Sequence, residues 1–198
     1  MSRRQPRALE QGALDGLCGV YSIINSLLWA QHTLRLARKR KRYLDEVALT
    51  DLFSFLLTAL IANRPHFRPV IEGIGPHDLA RLIALSSHWL ANRWGVALAS
   101  KRPFRGRTRI TTSRVADTLG EHLALPGAAA IIGLERPWDH WTVVRRTTQR
   151  RLVLLDSSGG SHILLRACGR YCTRRSGLLR PDNVFLLQLT PTPPCARR

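Results

Sequence analysis

A chain of 198 residues, 44% of them hydrophobic, is long enough to bury a sizeable core and too apolar to be a disordered polymer. Its 31 Lys and Arg stand against 13 Asp and Glu, a formal net charge of +18. That balance suits nucleic acid, acidic lipid or acidic protein as a partner. The rival explanation is Arg-favouring codon usage, because the arginines are spread along the whole chain and only Arg35-Leu36-Ala37-Arg38-Lys39-Arg40-Lys41-Arg42 is dense. Four cysteines are too few for a disulfide scaffold. No apolar run is long enough to cross a bilayer, and no apolar signal core follows the basic N-terminus. The cytoplasm is the expected compartment, with export by a signal-free route left open.

Residues 1–9 read as a loose basic arm. From Val20 the apolar residues recur at helical spacing through Ile23, Ile24, Leu27 and Leu28, which predicts an amphipathic helix running to about Leu34. Asp15 and Gly16 stand where its N-cap belongs. Asp45-Glu46 open a second helix, Val47 to Ile61, that Asn63-Arg64-Pro65 stop. Residues 64–76 are loop. Pro76 and Asp78 suit the start of a third helix that ends at Trp94-Gly95. Beyond Gly95 the pattern turns to strands, at 96–99, 128–134, 140–146, 151–157 and 183–189, with one short helix capped by Thr112 or Ser113 and ending at Leu123. Residues 191–198 form a Pro-rich tail. The expected fold is a single α+β domain, with a helical lobe over about 10–95 and a β-sheet lobe over about 96–190.

The placement of Cys18 gives the first chemical signal. It falls in the first turn of the predicted helix, where unpaired N–H groups and the positive end of the dipole stabilise a thiolate. Two later residues complete a constellation. His140 opens one strand and Asp156 closes the next. Pairing Arg146 with Arg150 around a three-residue loop sets His140 opposite Asp156, on one sheet face. A four-residue loop shifts the register by one and sets Ser157 there instead. A carboxylate beside an imidazole fixes its tautomer, and the imidazole can then take a proton from a thiol and return it to a leaving group. Cys18, His140 and Asp156 are therefore candidate nucleophile, base and orienter. Singly, each has a bland reading: a small buried Cys, a strand-end His and a turn Asp. Cys168 and Cys172, four apart with His162 nearby, make half of a zinc set, but no further ligand stands at a suitable spacing. No metal or other cofactor is expected.

The order Cys, His, Asp resembles the papain-like cysteine peptidases. Asp156-Ser157-Ser158-Gly159 is similar to the Asn-Ser-Trp-Gly of classical members, with Asp for Asn and Ser for Trp. Cys18-Gly19 is similar to the Cys-Gly of peptidase domains in double-glycine bacteriocin exporters, and Asp15-Gly16-Leu17-Cys18 to the Asp-Gly-x-Cys of ovarian-tumour-type deubiquitinases. The resemblance implies a Cys-bearing central helix facing an antiparallel sheet that carries His and Asp. It implies hydrolysis of a peptide or isopeptide bond in a protein or peptide substrate, an acidic one if the basic surface holds it. It also implies a Gln before the Cys that supplies an oxyanion donor. Gln11 fills that place, and Gln11-Gly12-Ala13-Leu14 looks like the calpain stretch, although six residues rather than the usual five separate it from Cys18. Transglutaminases and arylamine acetyltransferases share the order Cys, His, Asp, so acyl transfer to an amine is the neighbouring alternative. A basic nucleic-acid-binding module with an incidental triad is the alternative from another class, and no RRM, KH or zinc-finger signature supports it.

Overall fold

Helix boundaries follow the local signals closely. In the computed structural model, which describes residues 5–12, 16–38, 44–62, 72–173 and 178–191, three helices come first: α1 (Cys18–Arg38), α2 (Glu46–Ile61) and α3 (Pro76–Trp94). The Asp45 carboxylate caps α2 by accepting the Ala48 N–H at 2.9 Å. Pro76 opens α3, and Gly95 closes it in the left-handed region, at φ 58°, with its N–H on the Leu90 carbonyl. Asp15 lies outside the described residues, as does the end of the basic run at 39–42 and most of the loop expected at 64–76.

The remaining elements are β1 (Val96–Lys101), β2 (Arg109–Thr111), α4 (Thr112–Leu123), β3 (Ala128–Leu134), β4 (His140–Thr147), β5 (Arg151–Leu155), β6 (His162–Leu164), a 3-10 turn (Leu165–Cys168), β7 (Tyr171–Thr173) and β8 (Leu179–Pro191). The cap of α4 is Thr111, not Thr112 or Ser113: its Oγ1 accepts the Arg114 N–H at 3.2 Å. Thr112 is unavailable because its hydroxyl is turned inward and donates to the Gly169 carbonyl at 2.6 Å. The fold is α+β. Six strands form one antiparallel sheet in the order β1-β8-β3-β4-β5-β6, and β2 pairs with β7 in a second, two-stranded sheet. β8 is longer than the expected 183–189 because it has a neighbour on each side, β3 and β1.

The sheet separates two cores. On one face Ile131, Trp141, Val143, Leu155, Phe185 and Leu187 belong to a core with α1 and α3, against which α2 packs in turn. On the other, Ile132, Val144, Leu152, Leu154, Val184 and Leu186 pack against Val115 and Leu119 of α4. Helices therefore cover both faces, so the helical and sheet halves of the chain interleave more than two simple lobes would. β3 lies between the two cores and is buried at every position, which explains its unbroken apolar run.

The β4–β5 hairpin corrects the expected register. Thr147 pairs with Leu152, and Thr148 takes the Arg151 carbonyl at 2.9 Å, leaving Gln149-Arg150 as a two-residue loop. The Thr148 hydroxyl also accepts the Arg151 N–H at 3.1 Å, which tightens this turn. A bulge then intervenes: Val144 faces Leu154, while Arg146 faces Val153, so Arg145 is the extra residue. Val143 faces Leu155, and the same register carried one step further sets Thr142, not His140, across from Asp156. His140 lies two residues along from Thr142, on the same sheet face, so Asp156 is its diagonal neighbour.

The N-terminal arm is not loose at its far end. Leu9 gives its N–H to Asn25 Oδ1 at 2.8 Å and receives Asn25 Nδ2 on its carbonyl at 3.2 Å. Asn25 is buried in the middle of α1, and a buried amide needs partners of this kind. Gln11 continues the attachment, its N–H on the Ser157 carbonyl at 2.9 Å.

Candidate active site

α1 and the ends of β4 and β5 bring Cys18, His140 and Asp156 together. Cys18 opens α1 and is 5% exposed. Gly19 behind it allows close packing: a Cβ there would stand 2.5 Å from Ile74 Cδ1. His140 is the first residue of β4, and Asp156 follows the last residue of β5. β5 stops two residues before the expected Ser157 because the Asp156 carboxylate bonds the chain ahead of it, accepting the Ser158 N–H at 2.6 Å.

The imidazole stands between thiol and carboxylate. His140 Nε2 lies 3.1 Å from Asp156 Oδ2 and 3.3 Å from Oδ1. With Nε2 engaged, Nδ1 is the nitrogen left to face the Cys18 thiol, which lines the same cleft and lies 4.0 Å from the Gly16 carbonyl. Burial by itself lowers the basicity of His140. The hydrogen bonds to Asp156 and Cys18, and their charges, outweigh it and push the pKa up to about 9. Burial alone would raise the Asp156 pKa. The hydrogen bond from His140, the nearby Thr142 hydroxyl, the imidazolium charge and the Ser158 N–H together hold it below the ordinary 3.8. The Thr142 hydroxyl is buried, and its geometry falls short of an ordinary hydrogen bond, so it acts on Asp156 as a looser donor.

A cleft of about 430 Å³ opens over the pair, walled by Cys18, His140, Ile74, Gly133, Trp141 and Asn183. Glu72, Glu135 and Asp139 also line it, and among the described residues no Lys or Arg does. Glu135 is held on both oxygens, by Asn183 Nδ2 at 2.9 Å and by Arg180 at 3.0 Å. Trp141 secures the wall: its indole N–H donates to the Ile74 carbonyl at 2.7 Å and its ring meets Phe185 edge-on. A second hollow of about 380 Å³ lies along His140 and Asp156, bordered by Trp138, which is 59% exposed.

Gln11 joins the site through the sheet. Its side-chain carbonyl accepts the Ser157 hydroxyl at 3.4 Å, one residue past Asp156. Residues 13–15, which set its path to Cys18, lie outside the described residues. Cys168 and Cys172 are buried in the second core. Burial, with Cys172 nearby, raises the Cys168 pKa to about 11, and Cys172 meets the Thr112 hydroxyl at 3.5 Å. Among the described residues no group of three or more His, Cys, Asp or Glu is placed to hold a metal ion.

Sequence reasoning missed Thr142, Trp141 and the acidic wall. An indole one residue after the candidate His is a signal for Trp141; the wall residues come from distant segments and carry none. Comparison with known proteins adds no relative: no family model, no curated protein and no solved structure matches the chain.

Proposed function

We propose that this chain is a thiol hydrolase of the cysteine-peptidase kind, acting on a peptide or isopeptide bond with Cys18, His140 and Asp156. The observation that carries the reading is His140, bonded to Asp156 through Nε2 and lining one open cleft together with Cys18 at the start of α1. In this reading Cys18 passes its proton to His140, and Sγ attacks the carbonyl carbon of the substrate. The C–N bond breaks as the imidazolium gives its proton to the departing amine, leaving an acyl thioester. Water then adds, with His140 taking its proton; the C–S bond breaks and the thiol is restored. Asp156 fixes the tautomer of His140 and supports its charged form. The Cys18 backbone N–H, with the Gln11 amide, would steady the oxyanion. The papain-like arrangement belongs to the same proposal.

Glu135 on the cleft wall is already neutralised by Arg180 and held by Asn183, so the wall does not itself select the charge of the substrate. The test is cleavage profiling on a peptide library with ubiquitin-type substrates included, wild type against Cys18→Ala, alongside iodoacetamide labelling near pH 6. Fast labelling and turnover that both vanish in Cys18→Ala support the proposal. A wild type with neither ends it.

A further inference from the structure

The pairing of β2 with β7 gathers positive charge that is dispersed in the sequence. Residues 99–116 contain Lys101 and five arginines, and residues 157–181 contain five more; neither segment holds an Asp or Glu. The two segments meet antiparallel, Arg109 beside Thr173 and Thr111 beside Tyr171. At their junction Arg109 sits over the Tyr171 ring, its Cζ 3.5 Å from the centroid, and Arg170 approaches the same ring at 5.5 Å. Both arginines are exposed, as are Arg105, Arg107 and Arg166 in the flanking turns. Two carboxylates that touch these segments are already engaged. Asp182 accepts the Gly106 N–H at 3.0 Å, and Glu135 is paired with Arg180. Asp117 and Glu121 of α4, which packs on β2, lie further along that helix.

We infer that the β2–β7 face, centred on Arg109, Tyr171 and Arg170, is a docking surface for single-stranded nucleic acid. Two guanidinium groups held by one aromatic ring are oriented before any ligand arrives. Their N–H edges can take phosphate oxygens in pairs, and an outward guanidinium plane can stack a base. An acidic membrane fits less well. Among the described residues the exposed large apolar side chains are Leu9, Leu36, Val47, Trp94, Leu125 and Trp138, none of them in either segment. A membrane-binding face needs such groups to enter the lipid. The surface is independent of the hydrolase reading, because it uses none of Cys18, His140 or Asp156.

Fluorescence anisotropy with a labelled single-stranded RNA and the full chain tests this. Binding should weaken steeply with salt. Arg109→Ala/Arg170→Ala should reduce affinity about tenfold or more and lower the magnitude of the log–log salt slope by about 1.4, at roughly 0.7 per phosphate contact on a single strand. Arg150→Ala/Arg151→Ala removes the same charge from the β4–β5 turn and should leave both quantities nearly unchanged. Circular dichroism checks that each variant is folded. Arg109→Lys/Arg170→Lys keeps the charge and should retain the slope while losing part of the affinity. Equal weakening by the two alanine pairs would reduce the surface to net charge and overturn the inference. So would a lysine pair binding as well as wild type, or binding to phosphatidylserine vesicles with none to RNA.

Discussion

His140 titrating near pH 9 is the most direct consequence of the site geometry, and Asp156→Ala is the perturbation that tests it. The ordinary imidazole value is 6.5, and the folded value is about 9. At about 1.4 kcal/mol per pKa unit, the folded site favours the imidazolium by roughly 3 kcal/mol over the unfolded chain. The sign follows from a raised pKa. The stabilisation is fully present below pH 6.5 and is lost as pH rises through 9. In Asp156→Ala, burial still disfavours the charge, and only Cys18 opposes it. The pKa should fall by about 1–3 units, the range an opposite charge at contact supplies. Ring-nitrogen NMR of wild type and variant across pH 5–10 reads the two titrations. Urea denaturation at each pH should show the wild-type advantage shrinking towards pH 10. A wild-type His140 that titrates near 6.5, or one that Asp156→Ala leaves in place, would refute the reasoning.

If the hydrolase reading holds, kcat/KM should decline above about pH 9 as the imidazolium that protonates the leaving amine is lost. Asp156→Asn should keep more activity than Asp156→Ala, because an amide still offers His140 an acceptor; equal rates would make Asp156 a turn residue only. Gln11→Ala should lower turnover about a hundred- to a thousand-fold while iodoacetamide labelling of Cys18 stays nearly intact, since an oxyanion donor acts on the tetrahedral intermediate and not on the thiolate. Gly133→Ala would set a Cβ 2.8 Å from the Trp141 ring and 3.0 Å from Asn183, an overpacking that should cost about 1–3 kcal/mol in a thermal melt and disturb the cleft wall.

Much of the fold is legible because its signals are local. Asp45, Pro76 and Gly95 act within one turn of where they stand, and the periodicity of α1 reports its own buried face. β2, β6 and β7 are three residues each, too short for any period to show. They exist because partners elsewhere in the chain complete their hydrogen bonds, as Thr111 does with Tyr171. The arginine face is hidden for the same reason, since it depends on a pairing between segments some sixty residues apart.

The His140–Asp156 pairing shows how a local argument can reach the right neighbours by the wrong register. Counting a three-residue loop sets the two residues directly opposite. The hairpin has a tighter loop, which taken alone would set Asp156 across from Val143 and on the opposite sheet face from His140. The extra residue at Arg145 shifts the count by one and returns Asp156 to the face of His140 and Thr142. No local propensity announces that bulge. Its side chain is drawn outwards, with Arg145 Nη1 donating to Gln5 Oε1 at 2.7 Å. The N-terminal arm that receives it is in turn fastened to α1 through Asn25 and to the site through Gln11 and Ser157. Strand register, arm and α1 thus constrain one another, and the alignment of imidazole with carboxylate is a property of that closed set of contacts rather than of the hairpin alone.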